Sequence, residues 1–138
     1  MAEGQTAYEA LVTALKSLTQ AEDPAATDSP TVTLPVAEND WNTRPDAESY
    51  GIVSLDFEAG ALRAENVKQD EAFEGSVDLF SRAKDGAGWI PLIRDTLTAH
   101  CGGSWSLNSH VYERDARLFH WEWTFQIENT DTAEAEDD

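Results

Sequence analysis

Hydrophobic residues recur along the chain with two different periods, and each change of period marks an element. From Thr6 to Leu18 the side chains of Tyr8, Leu11, Val12, Leu15 and Leu18 fall three and four residues apart, the spacing that places them on one stripe of a helix. Gln20 to Pro30 holds two prolines, three acids and no large apolar residue, so it has nothing to bury and is expected to be a flexible acidic linker. Val32 to Val36 predicts a short extended piece that Pro35 confines to a sheet edge. Period two takes over in Tyr50 to Phe57, where Val53, Leu55 and Phe57 oppose Ser54 and Asp56. It returns in Ala72 to Ser81, where Phe73, Val77 and Leu79 oppose Glu74, Ser76 and Asp78. The mostly polar stretch from Glu58 to Glu71 between these strands predicts a long exposed loop, and loops of that length are usually functional or disordered. Trp89, Ile93, Leu97 and His100 then resume helical spacing; Asp85 can cap this helix, Pro91 fits its first turn and Gly102-Gly103 stops it.

The last third of the chain carries the clearest pattern. In Arg117 to Glu128 the residues Phe119, Trp121, Trp123, Phe125 and Ile127 form one apolar face, with His120, Glu122, Thr124 and Gln126 on the other. Trp105, Leu107 and Val111 alternate with polar residues in the segment before it, which predicts a hairpin. Cross-strand neighbours share a face, so Val111 should oppose Phe119, Leu107 should oppose Trp123 and Trp105 should oppose Phe125. That register demands an odd-length loop centred on Asp115, with Asp115 or a neighbour left-handed. A two-residue turn at Asp115-Ala116 would set Trp105 against Gln126 and is rejected. Trp121, Trp123 and Phe125 should all be buried, with Trp123 the most central.

These elements predict an α+β fold: an antiparallel-rich sheet of about four to five strands with two main helices packed on it. With 138 residues the chain can bury roughly two-thirds of its unfolded surface around a single core, so residues 1–128 are read as one domain. Residues 129–138 close an eleven-residue block, ENTDTAEAEDD, with six acids and no base; they are expected to form a disordered acidic tail.

Charge narrows the function. Twenty-seven acids against nine bases give a formal charge of −18, which repels a phosphate backbone, and the bases gather no more tightly than Arg82/Lys84 or Arg114/Arg117. Gripping nucleic acid is thereby excluded. No run approaches the eighteen or so apolar residues of a membrane span, and Met1 to Thr19 lacks the pattern of a signal peptide, so the chain is expected to be soluble and made in the cytoplasm.

Candidate chemistry is sparse. There is no G-x-S-x-G elbow, Gly-rich phosphate loop or H-E-x-x-H, so no catalytic residue, cofactor or metal is assigned. His100, His110 and His120 with Cys101 follow no metal-binding spacing, and in the predicted register His110 and His120 pair across the hairpin on its polar face. Asp56, Glu74 and Asp78 point the same way from two strands, which invites an acid/base reading, although outward strand faces are ordinarily charged. Cys101, the single cysteine, reads as a half-buried thiol, and Trp89 as core. The segment Asp40 to Pro45 (DWNTRP) has two readings. Locally, Arg44 pairs an acid and Trp41 covers a sheet edge; in an assembly the two anchor a subunit contact, as Trp and Arg do at interface hot spots.

The order helix, DWNTRP, YGIVSLDFEAG, FEGSVDLFS, helix, SWSLNSHVYERD, LFHWEWTFQIE resembles the tail-terminator family of long-tailed bacteriophages and prophages, also described as tail-completion, minor capsid or head–tail joining proteins. The resemblance runs from Ala7 to Glu128, and W-x-T-R-P before Y-G-x-V-S-L and S-W-S-L-N before L-F-H-W-E-W are its most distinctive pieces. It implies a small α+β subunit, without catalytic residues, that assembles as a six-fold ring at the head-proximal end of the tail. The ring would meet the tail tube protein and the neck or connector proteins, with DNA passing through unbound. Another neck, head-completion or connector protein is the alternative within such a particle; a small-ligand binding module or small enzyme is the alternative outside it. On the ring reading, Trp41, Arg44, Leu62 and Val67 are candidates for subunit or tail-tube contacts. Asp56, Glu58, Glu65, Asp70 and Glu71 are candidates for acids that face the channel and repel passing DNA.

Overall fold

Apolar strand faces need a cover, and in the computed structural model of this chain both helices lie on the same side of one sheet. The structure describes residues 3–23, 25–41, 43–55 and 72–128. Helix α1 spans Glu3–Lys16. Strands β1 (Thr19–Ala21) and β2 (Thr31–Thr33) form a separate two-stranded antiparallel sheet. Strands β3 (Val36–Glu38), β4 (Ser49–Leu55), β5 (Ala72–Ser81), β6 (Trp105–Glu113) and β7 (Leu118–Glu128) build the main sheet in the order β3-β4-β5-β7-β6. Helix α2, Trp89–Cys101, lies between β5 and β6 in the chain. The fold is α+β, and the sheet is mixed because β3 runs parallel to β4 while the other three pairings are antiparallel.

The core lies between this sheet and the two helices. It gathers Tyr8, Leu11, Val12 and Leu15 of α1, Trp89, Ile93 and Leu97 of α2, and Val53, Val77, Leu79, Trp121, Trp123, Phe125 and Ile127 of the strands. Trp123 is 1% exposed and sits in the fourth of the five strands, flanked by β5 and β6 and covered from one side. Tyr8 reaches Glu38 from α1; burial first, then the Glu38 charge, pushes its hydroxyl up to about 12.

Several expectations need correction. Residues 20–30 begin inside a strand: Gln20 and Ala21 pair with Val32 and Thr31, and the Gln20 amide donates to the Ala87 carbonyl at 2.7 Å. The extended piece around Val32 is two strands broken at Pro35, of which only the second joins the main sheet, at its edge as expected. Asp85 caps a 3-10 turn, Gly86–Gly88, by accepting from the Ala87 N–H, rather than capping α2 directly. Gly86, Ala87 and Gly88 all have positive φ, so the chain enters α2 through a left-handed turn that two glycines permit and one alanine tolerates. The exit from α2 matches expectation: Gly102 has φ 61° and its N–H bonds to the Thr98 carbonyl.

The hairpin register is half as expected. Trp105 opposes Phe125 and Leu107 opposes Trp123, but the register shifts between Leu107 and Ser109, so that Val111 opposes His120 rather than Phe119. The bulge inserts one extra residue on the β6 side, and the connection is the four residues Arg114 to Arg117 instead of an odd-length loop. Its left-handed residue is Arg117, φ 59°, whose N–H bonds back to the Glu113 carbonyl at 2.8 Å.

Candidate functional site

Two regions stand outside the core and carry what chemistry the described residues offer. The first is the β6 edge. Among the described residues β6 is the last strand of the sheet and pairs on one side only, so the outward backbone groups of its nine residues face no described strand. Its alternation is apolar on both faces because the bulge switches phase midway. Leu107 and Tyr112 lie on the helix side, 51% and 49% exposed, and Val111 lies on the opposite side, 47% exposed. His110 stacks on Trp121 at 4.6 Å, and Tyr112 packs on Phe119 at 4.7 Å. Exposed Arg114 and Arg117 sit at the hairpin tip beside this edge, in a chain with few cations.

The second is the outer face, away from the helices. Register alone brings Tyr50, Phe80 and His120 into one transverse row across β4, β5 and β7. Their rings stack, Tyr50 on Phe80 at 5.0 Å and Phe80 on His120 at 4.1 Å, while Trp41 meets Tyr50 edge-on at 6.4 Å. Tyr50 and Leu118 are buried yet stand apart from the main core. The His120 ring lies between two carboxylates: Nε2 is 2.7 Å from Asp78 on β5 and Nδ1 is 2.8 Å from Glu113 on β6. A neutral imidazole donates through one nitrogen only, so this geometry fits the doubly protonated ring. The Asp78 hydrogen bond raises the His120 pKa above the ordinary 6.5, partial burial opposes it, and Glu113 adds to the rise.

Further along that face, Ser54, Ser76, Thr124 and Ser106 form a row of small hydroxyls in successive strands of the sheet. They floor an open depression of about 750 Å³ that Glu74, Gln126 and Trp105 also border. Comparison of the chain with protein-family models, with curated proteins and with solved structures finds no match.

Of the residues singled out in the sequence, Trp41 is half-buried against its own sheet, its indole N–H donating to the Gly51 carbonyl at 3.2 Å. Arg44 is exposed, and none of the described acids pairs with it. Leu62, Val67, Asp56, Glu58, Glu65, Asp70 and Glu71 lie outside the described residues. Glu74 and Asp78 share the outer face, but Asp78 faces His120 while Glu74 borders the depression, so the two do not form a carboxylate pair. The three histidines also separate: His100 ends α2, His110 stacks on the helix side, and His120 takes the outer face, which replaces the expected His110–His120 pair. Among the described residues no group of three or more potential ligands is arranged to hold a metal ion. Cys101 is half-buried and free, with burial pushing its thiol up to about 11. No helix among the described residues is long and apolar enough to cross a membrane.

The His120 cluster escaped sequence reasoning because Asp78, Phe80, Glu113 and His120 come from three strands. One signal was present: Tyr50, Phe80 and His120 are each an aromatic ring on the polar phase of their own strand.

Proposed function

We propose that this chain is a structural virion subunit that forms a ring, six-fold as the resemblance implies, at the head-proximal end of a long phage tail, where it ends the tail tube and joins it to the head. The observation that carries this reading is the free β6 edge. A nine-residue strand whose outer flank no described strand pairs, with Leu107, Val111 and Tyr112 exposed, is a surface that soluble monomers ordinarily blunt, and one that a neighbouring subunit would cover. Arg114 and Arg117 at its tip give an otherwise acidic molecule a local site of attraction for a second copy. DNA would pass through such a ring without being held, since a charge of −18 per subunit repels phosphate. The channel-facing role belongs first to Asp56, Glu58, Glu65, Asp70 and Glu71, with Leu62, Val67, Trp41 and Arg44 at subunit or tail-tube contacts.

The test is the mass of the purified protein by light scattering over a range of protein and salt concentrations, with electron microscopy of the assembled fraction. Rings are expected, and added salt should favour them by screening the repulsion among like-charged subunits. Replacing both Leu107 and Tyr112 with Glu should leave a folded monomer that no longer assembles. A parent protein that stays monomeric at every concentration, alone and with isolated tail tubes, would overturn the reading.

A further inference from the structure

The hairpin tip is a separate register block. Beyond the bulge, five pairs from Ser109↔Glu122 to Glu113↔Leu118 follow their own alignment. On the helix side this block rests on the His110–Trp121 and Tyr112–Phe119 ring contacts. On the outer side His120 bridges β5 to β6 across the strand between them, through Asp78 and Glu113. Glu113 is also the residue whose carbonyl closes the turn onto the Arg117 N–H, so its side chain and main chain hold the tip from both directions.

We propose that His120 is a protonation-operated fastening of the free edge: while its ring carries both protons it ties Glu113 to Asp78 and holds the tip of β6 in the shape a second copy docks against, and loss of a proton releases it. The proposal rests on the reading of β6 as a subunit contact. When one proton leaves, two carboxylates face a single N–H, and the carboxylate that loses its donor is left near a like charge.

No cation among the described residues offsets that change. From β5 the group facing the ring is Asp78, and from β6 it is Glu113. On β7 itself the neighbouring acid is Glu122, engaged by the Asn108 amide at 2.9 Å; from β4, Tyr50 reaches it only through Phe80. Asp46 and Glu48 precede β4, and Asp46 is matched with Arg82 at 3.5 Å. A histidine whose folded pKa is raised gives stabilisation that is complete below its ordinary 6.5 and lost as pH rises through the raised value. The working window therefore lies above pH 6.5, where Asp and Glu are already ionised and do not confound the measurement.

The experiment compares the parent with His120→Gln and Glu113→Gln by light scattering from pH 6.5 to 9.5 at constant ionic strength, while NMR follows the His120 ring and the Arg117 amide. In the parent, assembly should weaken with rising pH by up to about tenfold per unit, the slope for one proton per contact. In His120→Gln that slope should vanish. Glu113→Gln, which keeps the ring but removes one carboxylate charge, should move the midpoint to lower pH. Equal pH slopes in the parent and His120→Gln would overturn the fastening while leaving the ring standing. If every form is monomeric, the ring reading fails by itself and the Arg117 amide decides: following the ring titration supports the fastening, and ignoring it overturns the fastening.

Discussion

β6 and β7 are the two arms of one hairpin, yet β7 buries Trp121, Trp123, Phe125 and Ile127 while no side chain of β6 is buried. Composition explains little of this, since β6 carries Trp105, Leu107, Val111 and Tyr112. Position explains it. β7 has a strand on each side and both helices near one face, whereas β6 has one neighbouring strand among the described residues. A central strand must keep its phase over its full length, because a slip of one residue would turn its aromatic face to water. An edge strand can change phase at a bulge at little cost, and β6 does so between Leu107 and Ser109. Fidelity of alternation thus follows how many neighbours a strand has, and among the described residues three of the four exposed large apolar side chains lie on β6.

The largest effect should come from emptying the committed arm. Trp123→Ala removes a side chain 1% exposed and should cost about 3–5 kcal/mol in urea unfolding, the usual penalty for an aromatic core truncation. A well-folded, near-parent variant would mean that the β7 face is not the core. Gly75→Ala comes next. Gly75 lies in β5 opposite both Leu55 and Phe125, and a methyl group there would meet the Ser54 carbonyl oxygen and stand 2.7 Å from the Phe125 ring. With backbone on one side and a packed ring on the other, overpacking should cost about 1–3 kcal/mol by the same measurement.

How much of this was legible in the sequence follows the same division. Period two located β4, β5 and β7 and the apolar set of β7, because each of these strands packs one face on the helices and the alternation is enforced. The spacing of Leu11, Val12, Leu15, Ile93 and Leu97 located both helices for the same reason. Strand β1 and its pairing with β2 were illegible: the hairpin is largely exposed, and it is held by backbone pairing, the Gln20 amide on Ala87 and polar bonds of its loop such as the Asp23 N–H to Ser29 Oγ, none of which leaves a hydrophobic pattern. The far half of the β6–β7 register departs from simple alternation because past Leu107 no side chain of β6 is buried to enforce it. At the candidate site, Trp41 was visible beside Arg44 and Asp78 beside Asp56 and Glu74, but the row that joins Tyr50, Phe80 and His120 exists only once two registers are known.

A smaller effect of opposite sign is expected at the turn between the arms. Arg117 holds φ 59°, a region where a side chain is strained and glycine is not. Arg117→Gly should therefore stabilise the protein by about 0.5–1 kcal/mol, read as a higher urea midpoint at unchanged slope. The Arg117 N–H to Glu113 carbonyl bond survives the change, since it uses only backbone atoms. A loss of stability would show that the Arg117 side chain, rather than its backbone, sets the turn.

The smallest effect should be at Leu107, and it is the sharpest test of the contrast because Leu107 is paired directly with Trp123. The two face each other on the same side of the sheet, one 51% exposed and the other 1%. If burial were a property of the cross-strand pair, truncating either partner would be costly. If it follows strand position, Leu107→Ser removes a side chain that gains little from folding of the single subunit, and the monomer should change by no more than about 0.5 kcal/mol, as ordinary surface substitutions do. Measurement at a protein concentration low enough to keep the chain monomeric isolates this term, and repeating it where the chain assembles reads the cost at the contact. A monomer weakened by more than about 2 kcal/mol would place Leu107 in the core and remove β6 as a surface reserved for a neighbour.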